Sequence, residues 1–211
     1  MVQYNYIAIE GNIGAGKTTL ARILAEQYDA RLILETFEDN SFLPKFYKEP
    51  DKYAFPLEMS FLAERYQQMK EVLSSQDIFQ TLTVADYFID KSLIFAKNNL
   101  ESDEYRLYSN LFRIIIATLP RPDLVVYLYQ DEDQLLENIA KRGRDYELAI
   151  QRSYLSNIQA GYFSHFRTLQ KERILVIHSE NIDFVKNPGD IDVIKKIIER
   201  KFSPGIHRFE V

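Results

Sequence analysis

Cysteine is absent from this chain of 211 residues, and histidine occurs only three times, at His165, His178 and His207. The first absence excludes a disulfide framework and a thiolate metal site, and the scattered histidines do not form a ligand cluster. A long basic run is also missing. Lys and Arg total 26 against 31 Asp and Glu, giving a net charge of -5 and a pI near 5.3. Binding to a nucleic acid polymer through its phosphates is therefore not expected. The longest apolar runs, such as "LVVYLY", are far too short to span a bilayer. The N-terminus "MVQYNYIAIEG" lacks a basic segment followed by a long apolar one. The expectation is a soluble, non-exported protein of a reducing, cytoplasmic compartment with no membrane partner. Repeats, linkers and low-complexity segments are lacking too, and the length suits one buried core, so 1–211 is read as a single domain.

What the chain does contain is alternation. Short apolar, β-branched runs read as strands: "YIAIE" (6–10), "RLILE" (31–35), "TLTVAD" (81–86), "LVVYLY" (124–129) and "ILVIH" (174–178). Each is nearly continuously apolar, as strands buried on both faces are. Amphipathic patterns predict helices over about 17–28, 56–74, 88–99, 103–118, 131–142, 148–168 and 190–202. Such alternation implies an α/β fold, a parallel sheet with helices on both faces. Pro120 and Pro122 punctuate the approach to the fourth strand, and Asp190 is a candidate cap for the last helix.

Between the first strand and first helix stands "GNIGAGKT", which satisfies G-x-x-x-x-G-K-[ST] in the required strand–loop–helix context. Gly11, Asn12, Ile13, Gly14, Ala15 and Gly16 would curl so that backbone N–H groups face phosphate oxygens, with the helix that begins Lys17, Thr18, Thr19 adding its positive end. Lys17 would reach the β and γ phosphates of a nucleotide such as ATP, and Thr18 would ligate Mg2+. The alternative is a glycine-rich turn that binds nothing.

Open α/β sheets bind ligands at the carboxyl ends of their strands. Two carboxylates fall there. Asp86, ending "TVAD", suits a magnesium-positioning role, and Glu35, ending "LILE", suits a general base that accepts a hydroxyl proton. Either could instead be a solvated strand-end carboxylate. Further along, "KRGRDYE" (141–147) gathers Arg142, Arg144 and Glu147 around Gly143, a pattern for a lid (about 141–148) that closes over phosphates. It could equally be a basic helix C-terminus that suits the helix dipole. In "YAFPLEMSFLAERYQQM" (53–69), Phe55, Met59, Leu62, Tyr66 and Met69 recur at helical spacing, while Glu58 and Arg65 stand two turns apart beside that stripe.

These segments together resemble the deoxynucleoside kinases, most closely the bacterial branch that includes deoxyguanosine and deoxyadenosine kinases. The likeness rests on "IAIEGNIGAGKTTLA", "ILETFEDNSFLPKFYKEPDKYAFPLEMSFLAERYQQ", "VADYFIDKSLIFA", "LPRPDLVVYL" and "KRGRDYE" in that order, nearly the whole chain. It implies a P-loop NTPase-type five-stranded parallel sheet and a homodimer packed through long helices. It also implies transfer of the γ-phosphoryl of ATP, with Mg2+, to the 5'-hydroxyl of a deoxynucleoside. By position, Glu35 matches the family's general base, Tyr47 and Glu147 the pair that holds the sugar 3'-hydroxyl, and Arg142 and Arg144 the lid arginines. The stretch "NIDFV" (181–185) resembles the loop near the donor base.

Two departures stand out. Many members carry an arginine after the acidic residue of the third strand, whereas this chain reads Asp86, Tyr87, Phe88; Lys91 is then a candidate for the missing charge and Phe95 for the stacking surface. Many members also carry glutamine where this chain has Glu58. Glutamine donates and accepts, which suits adenine or cytosine, but ionised glutamate only accepts, which suits the N1–H and N2–H donors of guanine. Arg65, a donor, would suit guanine O6 and N7; the two residues could alternatively pair with each other or face solvent. The expectation is a purine deoxynucleoside kinase preferring deoxyguanosine. Its rivals are a deoxyadenosine or broad-specificity kinase, a nucleoside monophosphate kinase, and a non-catalytic nucleotide-binding regulator. The acidic acceptor side, Glu35, Glu38, Asp39 and Glu58, argues against a phosphorylated acceptor.

Overall fold

The computed structural model describes residues 2–36, 40–74, 82–179, 182–183 and 186–211. Glu38 and Asp39 lie outside them. Strand β1 (Tyr6–Gly11) leads through the glycine loop into α1 (Lys17–Tyr28), and β2 (Arg31–Ile33) follows. A short α2 (Leu43–Lys48) and the long α3 (Pro50–Ser74) precede β3 (Thr83–Ala85), α4 (Lys91–Asn99) and α5 (Ser102–Ile116). Next come β4 (Leu124–Tyr129), α6 (Glu132–Arg142), a 3-10 turn at Asp145–Glu147 and α7 (Arg152–Phe166). The chain closes with β5 (Arg173–His178), α8 (Pro188–Ile198) and β6 (Gly205–Glu210).

All strands pair in parallel, in the order β2-β3-β1-β4-β5-β6. Consecutive residues of a strand point to opposite faces, and both faces are buried. Along β1, Ile7 and Ile9 enter one core with α1, α6 and α8, while Tyr6 and Ala8 enter the other with α3, α4, α5 and α7. Leu124, Val126 and Leu128 against Val125 and Tyr127 repeat the pattern on β4. The predicted α/β class follows from this two-sided burial.

The expectation of five strands is corrected to six. β6 pairs with β5 from Arg173 opposite Gly205 to His178 opposite Glu210. Its sequence "GIHRFE" escaped the search for continuous apolar runs because it is an edge strand, half-buried rather than sandwiched. α2 was not anticipated, since six residues give too little periodicity to read. α3 begins at Pro50 rather than near 56 and runs through Pro56. Pro56 lacks the N–H that would bond the carbonyl four residues back, but that carbonyl belongs to Lys52, which is exposed and can bond water. Asp190 is not the cap of α8. Asn187 holds that place, and Asp190, inside the first turn, accepts from the Asp183 N–H at 2.8 Å.

Candidate active site

At the carboxyl ends of β1 to β5, beside the 141–147 segment, lies a cavity of about 1350 Å³. That is more than one small ligand occupies. Its walls contain Lys17, Thr18, Glu35, Tyr47, Glu58 and Arg65 from the first half of the chain, and Asp86, Lys91, Phe95, Arg142, Arg144 and Glu147 from the second. The structure thus brings all of these sequence-derived residues together.

One end of the cavity is the glycine loop. Gly14 and Gly16 adopt φ of 86° and 85°, in the left-handed region, so the chain can turn its N–H groups inward. Gly14 also has no room for a side chain. A Cβ there would stand 2.7 Å from the Leu135 carbonyl oxygen and 3.1 Å from Ile139 Cγ1, both on α6. The loop is held from outside as well: Asn138 Nδ2 donates to the Gly14 carbonyl at 3.0 Å, and Asn12 Nδ2 donates to the Leu155 carbonyl at 2.8 Å. Lys17 Nζ donates to the Asn12 carbonyl at 2.9 Å. Burial, aided by the neighbouring Lys91, pushes the Lys17 ammonium down to about 8.

Thr18 Oγ1 donates to Asp86 Oδ2 at 2.6 Å, and the Glu35 N–H donates to Asp86 Oδ1 at 2.6 Å. Threonine and aspartate oxygens side by side are a hard donor set that fits Mg2+. Among the described residues no cluster of three or more His, Asp or Glu could hold a metal by itself. A magnesium ion here would thus need phosphate oxygens or water to complete its shell.

In the middle of the cavity sits Glu35. Arg65 meets its Oε1 through Nη2 at 2.7 Å and Nε at 2.9 Å, and Lys91 Nζ meets its Oε2 at 2.6 Å. Burial alone would raise this carboxyl. Lys91 and Arg65 outweigh it and hold the group ionised, at about 2. Lys91 therefore brings its positive charge directly onto Glu35. Phe95, one turn on, lines the cavity with its ring 5.4 Å from Lys91 Nζ. Arg65 is fixed further by Ser92 Oγ, 2.7 Å from Nη1, and lies 4.9 Å over the Phe61 ring.

Glu58 and Arg65 do not pair with each other, because Arg65 bonds Glu35. Glu58, only 1% exposed, takes a hydrogen bond on Oε1 from Asn99 Nδ2 at 2.7 Å, while its Oε2 is buried with no partner among the described residues. Burial pushes this carboxyl up to about 7, against the opposing pull of Arg65 and Asn99.

Beyond Glu58 the wall is closed by α2 and the lid. Tyr47 stacks on Tyr146 with ring centres 6.0 Å apart. Glu147 is buried and engages Arg142 at 2.5 Å and, more loosely, Arg144 at 3.5 Å. Ile182 and Asp183 of the "NIDFV" stretch line the cavity; residues 181, 184 and 185 lie outside the described residues.

Sequence reasoning missed several contributors. Glu10 is wholly buried and accepts from the Gly11 and Phe88 N–H groups and from Tyr162 Oη, each at 2.9 Å. It ties the end of β1 to the segment that presents Lys91. Its signal was a lone charge closing an otherwise apolar strand, "YIAIE". Ser92, Asn99 and Asn138 carried no signal, being small polar residues on helices that look solvated until packed. No helix among the described residues is long and apolar enough to cross a membrane.

Comparison with known proteins adds independent findings. A family model described as deoxynucleoside kinase matches residues 7–203. The chain is 36% identical over 193 residues to a deoxyguanosine kinase of Bacillus subtilis (strain 168), covering 90% of this chain and 93% of that one. It is 30% identical over 196 residues to a deoxyadenosine/deoxycytidine kinase of the same organism, covering 89% and 88%. Among solved structures, a deoxyadenosine kinase from M. mycoides superposes with a TM-score of 0.78 over 92% of this chain and 98% of that one, at 22% identity, which speaks to the fold.

Proposed function

The chain belongs to the deoxynucleoside kinase family, and on that premise we propose that it phosphorylates the 5'-hydroxyl of purine deoxynucleosides with ATP and Mg2+, preferring deoxyguanosine. The single observation that supports the base preference is Glu58, a buried carboxylate in the cavity wall whose Oε2 has no partner among the described residues. An unsatisfied buried acceptor is costly, and a ligand that donates to it removes the cost. Guanine offers two adjacent donors, N1–H to Oε2 and N2–H to the remaining lone pair of Oε1. Arg65 keeps one N–H on each Nη for the O6 side of the same base.

The rest of the cavity supports phosphoryl transfer. Loop amides and Lys17 receive the donor's phosphates, and Thr18 with Asp86 would hold Mg2+, which when bound neutralises phosphate charge. Glu35 is too weak a base to strip a hydroxyl in advance. In a loose transition state the proton leaves late, so its role is to accept the 5'-OH hydrogen bond and align the oxygen, taking the proton as the new bond forms. Tyr47 and Glu147 hold the sugar, with a close wall favouring deoxyribose. Arg142 and Arg144, parked on Glu147, turn to the phosphates as the lid closes.

The test is kcat/KM for the four deoxynucleosides and their ribose counterparts with ATP and magnesium, repeated for Glu58→Gln. Deoxyguanosine should lead, and the substitution should lower the ratio of deoxyguanosine to deoxyadenosine about tenfold or more. An unchanged ratio would sink the guanine assignment while leaving the kinase itself intact.

A further inference from the structure

The carboxylate read above as the guanine reader is oriented from outside its own helix. Asn99, the last residue of α4, reaches across to α3 and donates Nδ2 to Glu58 Oε1 at 2.7 Å. Its own Oδ1 is taken by Asn98 Nδ2 at 2.9 Å. With Oδ1 occupied from the solvent side, the amide presents donors inward. A donor recognises an acceptor, so Asn99 favours the ionised carboxylate over the carboxylic acid.

The charged and titratable neighbours of Glu58 come from every surrounding element: Arg65 on α3, Glu35 after β2, Lys91 on α4, Tyr108 on α5 and Tyr154 on α7. Arg65 and Lys91 are bonded to Glu35 and act on Glu58 only through space. Among the described residues, the direct hydrogen bond to Glu58 is the one from Asn99. The distinction matters for chemistry. An ionised Glu58 offers acceptors alone, whereas a protonated Glu58 offers one donor and one acceptor, the same face as the glutamine of many relatives in the family pattern, and so suits adenine.

We propose that Asn99 is a positioning residue for base choice: by donating to Glu58 Oε1 it keeps that carboxylate acceptor-only and turned with Oε2 toward the base, so that losing the donor moves the preference from deoxyguanosine toward deoxyadenosine. The proposal rests on Glu58 as the guanine reader.

The experiment measures kcat/KM for both nucleosides from pH 5.5 to 8.5 in the unmodified chain, Asn99→Leu, Asn99→Asp and Glu58→Gln. In the unmodified chain the deoxyguanosine to deoxyadenosine ratio should climb through a midpoint near 7, where burial places Glu58. Asn99→Leu should lower the ratio at pH 7 about fivefold or more and move the midpoint upward. Asn99→Asp, nearly the same shape but with a carboxylate in place of the donor, should move it at least as far and guards against a folding defect in the leucine variant. A merely structural role would lower both nucleosides equally and leave the midpoint in place, and that result would overturn the proposal. If Glu58→Gln shifts the ratio while both Asn99 variants keep it, Asn99 is not the positioning residue and Glu58 still reads guanine. If Glu58→Gln shifts nothing, the guanine assignment falls and this inference with it.

Discussion

Residue by residue, the site keeps its carboxylates in opposite states by opposite means. Glu35 is buried but flanked at 2.6 to 2.9 Å by Lys91 and Arg65, and stays ionised. Glu58 is buried with one amide donor and, among the described residues, no cation in contact, and is pushed up to about 7. The unfolded chain releases this proton near the ordinary value of about 4.3, the folded chain near 7. Between those values the folded state binds more protons, so Glu58 costs stability progressively as pH rises through the window, with the full cost present above 7. Glu58→Gln keeps an oxygen for Asn99 without a charge. Free of nucleotide, that variant should therefore be more stable than the unmodified chain by about 1 to 3 kcal/mol at pH 8, and by much less at pH 5. Melting curves at the two pH values measure it. A gap of the same size at both would mean that Glu58 is not held near neutrality by burial. The likeness between glutamate and glutamine in sequence made the substitution visible at once. The buried, half-satisfied state of the carboxylate was not visible, because it depends on Asn99 arriving from another helix.

Among the elements, the glycine loop packs directly against α6 at the proposed donor end of the cavity. The motif was fully legible in sequence, but it gave no reason why Gly14 in particular must be glycine. The structure supplies two: a φ of 86°, and a helix carbonyl 2.7 Å from where a Cβ would sit. Gly14→Ala therefore forces either the loop or α6 to move. The expected cost is about 1 to 3 kcal/mol of stability, together with a KM for ATP raised about tenfold and a much smaller change in KM for the nucleoside. Since α6 ends at Arg142, a displaced α6 also misplaces the lid, and kcat should fall with the donor affinity. Steady-state kinetics with each substrate varied in turn would separate the two sides of the site. Equal rises in both KM values would show that the loop's fit against α6 is not specific to the donor. Two arginines about a glycine marked the 141–147 segment in the sequence. That both arginines pair with Glu147 was not legible there, because sequence spacing cannot say which of several nearby charges a side chain chooses.

For the molecule as a whole, the sheet's interior was legible and its edge was not. Strands β1, β4 and β5 are buried on both faces, so their sequences are nearly continuous apolar runs, whereas "GIHRFE" is half-buried at best and exposes Arg208 and Glu210. β6 nonetheless covers the outer edge of β5, and Ile206, Phe209 and Val211 extend the two cores beyond it. Phe202 and Phe209 pack edge to face at 5.8 Å, and Arg173 Nε bonds the Phe202 carbonyl, which anchors the approach to the strand. Deleting 205–211 should leave "RILVIH" as a naked, apolar edge. Six residues of ladder at roughly 1 kcal/mol per net hydrogen bond, less the entropy of ordering them, suggest a loss of about 2 kcal/mol. For a chain of this size that corresponds to about 4 to 8 °C in Tm. The exposed edge should also pair with other copies, giving aggregation that rises with concentration. Glu35 and Asp86 follow β2 and β3, at the opposite end of the sheet order from this edge, while the other side of the cavity reaches Gln130 after β4 and Ser179 after β5. The surviving soluble protein should accordingly keep its ratio of kcat/KM for deoxyguanosine and deoxyadenosine within about twofold. A truncated chain that melts as before would show β6 to be ornamental to the fold. One that stays soluble but changes its nucleoside preference would show instead that the sixth strand reaches the site through β5, and that the sheet transmits strain across its whole width.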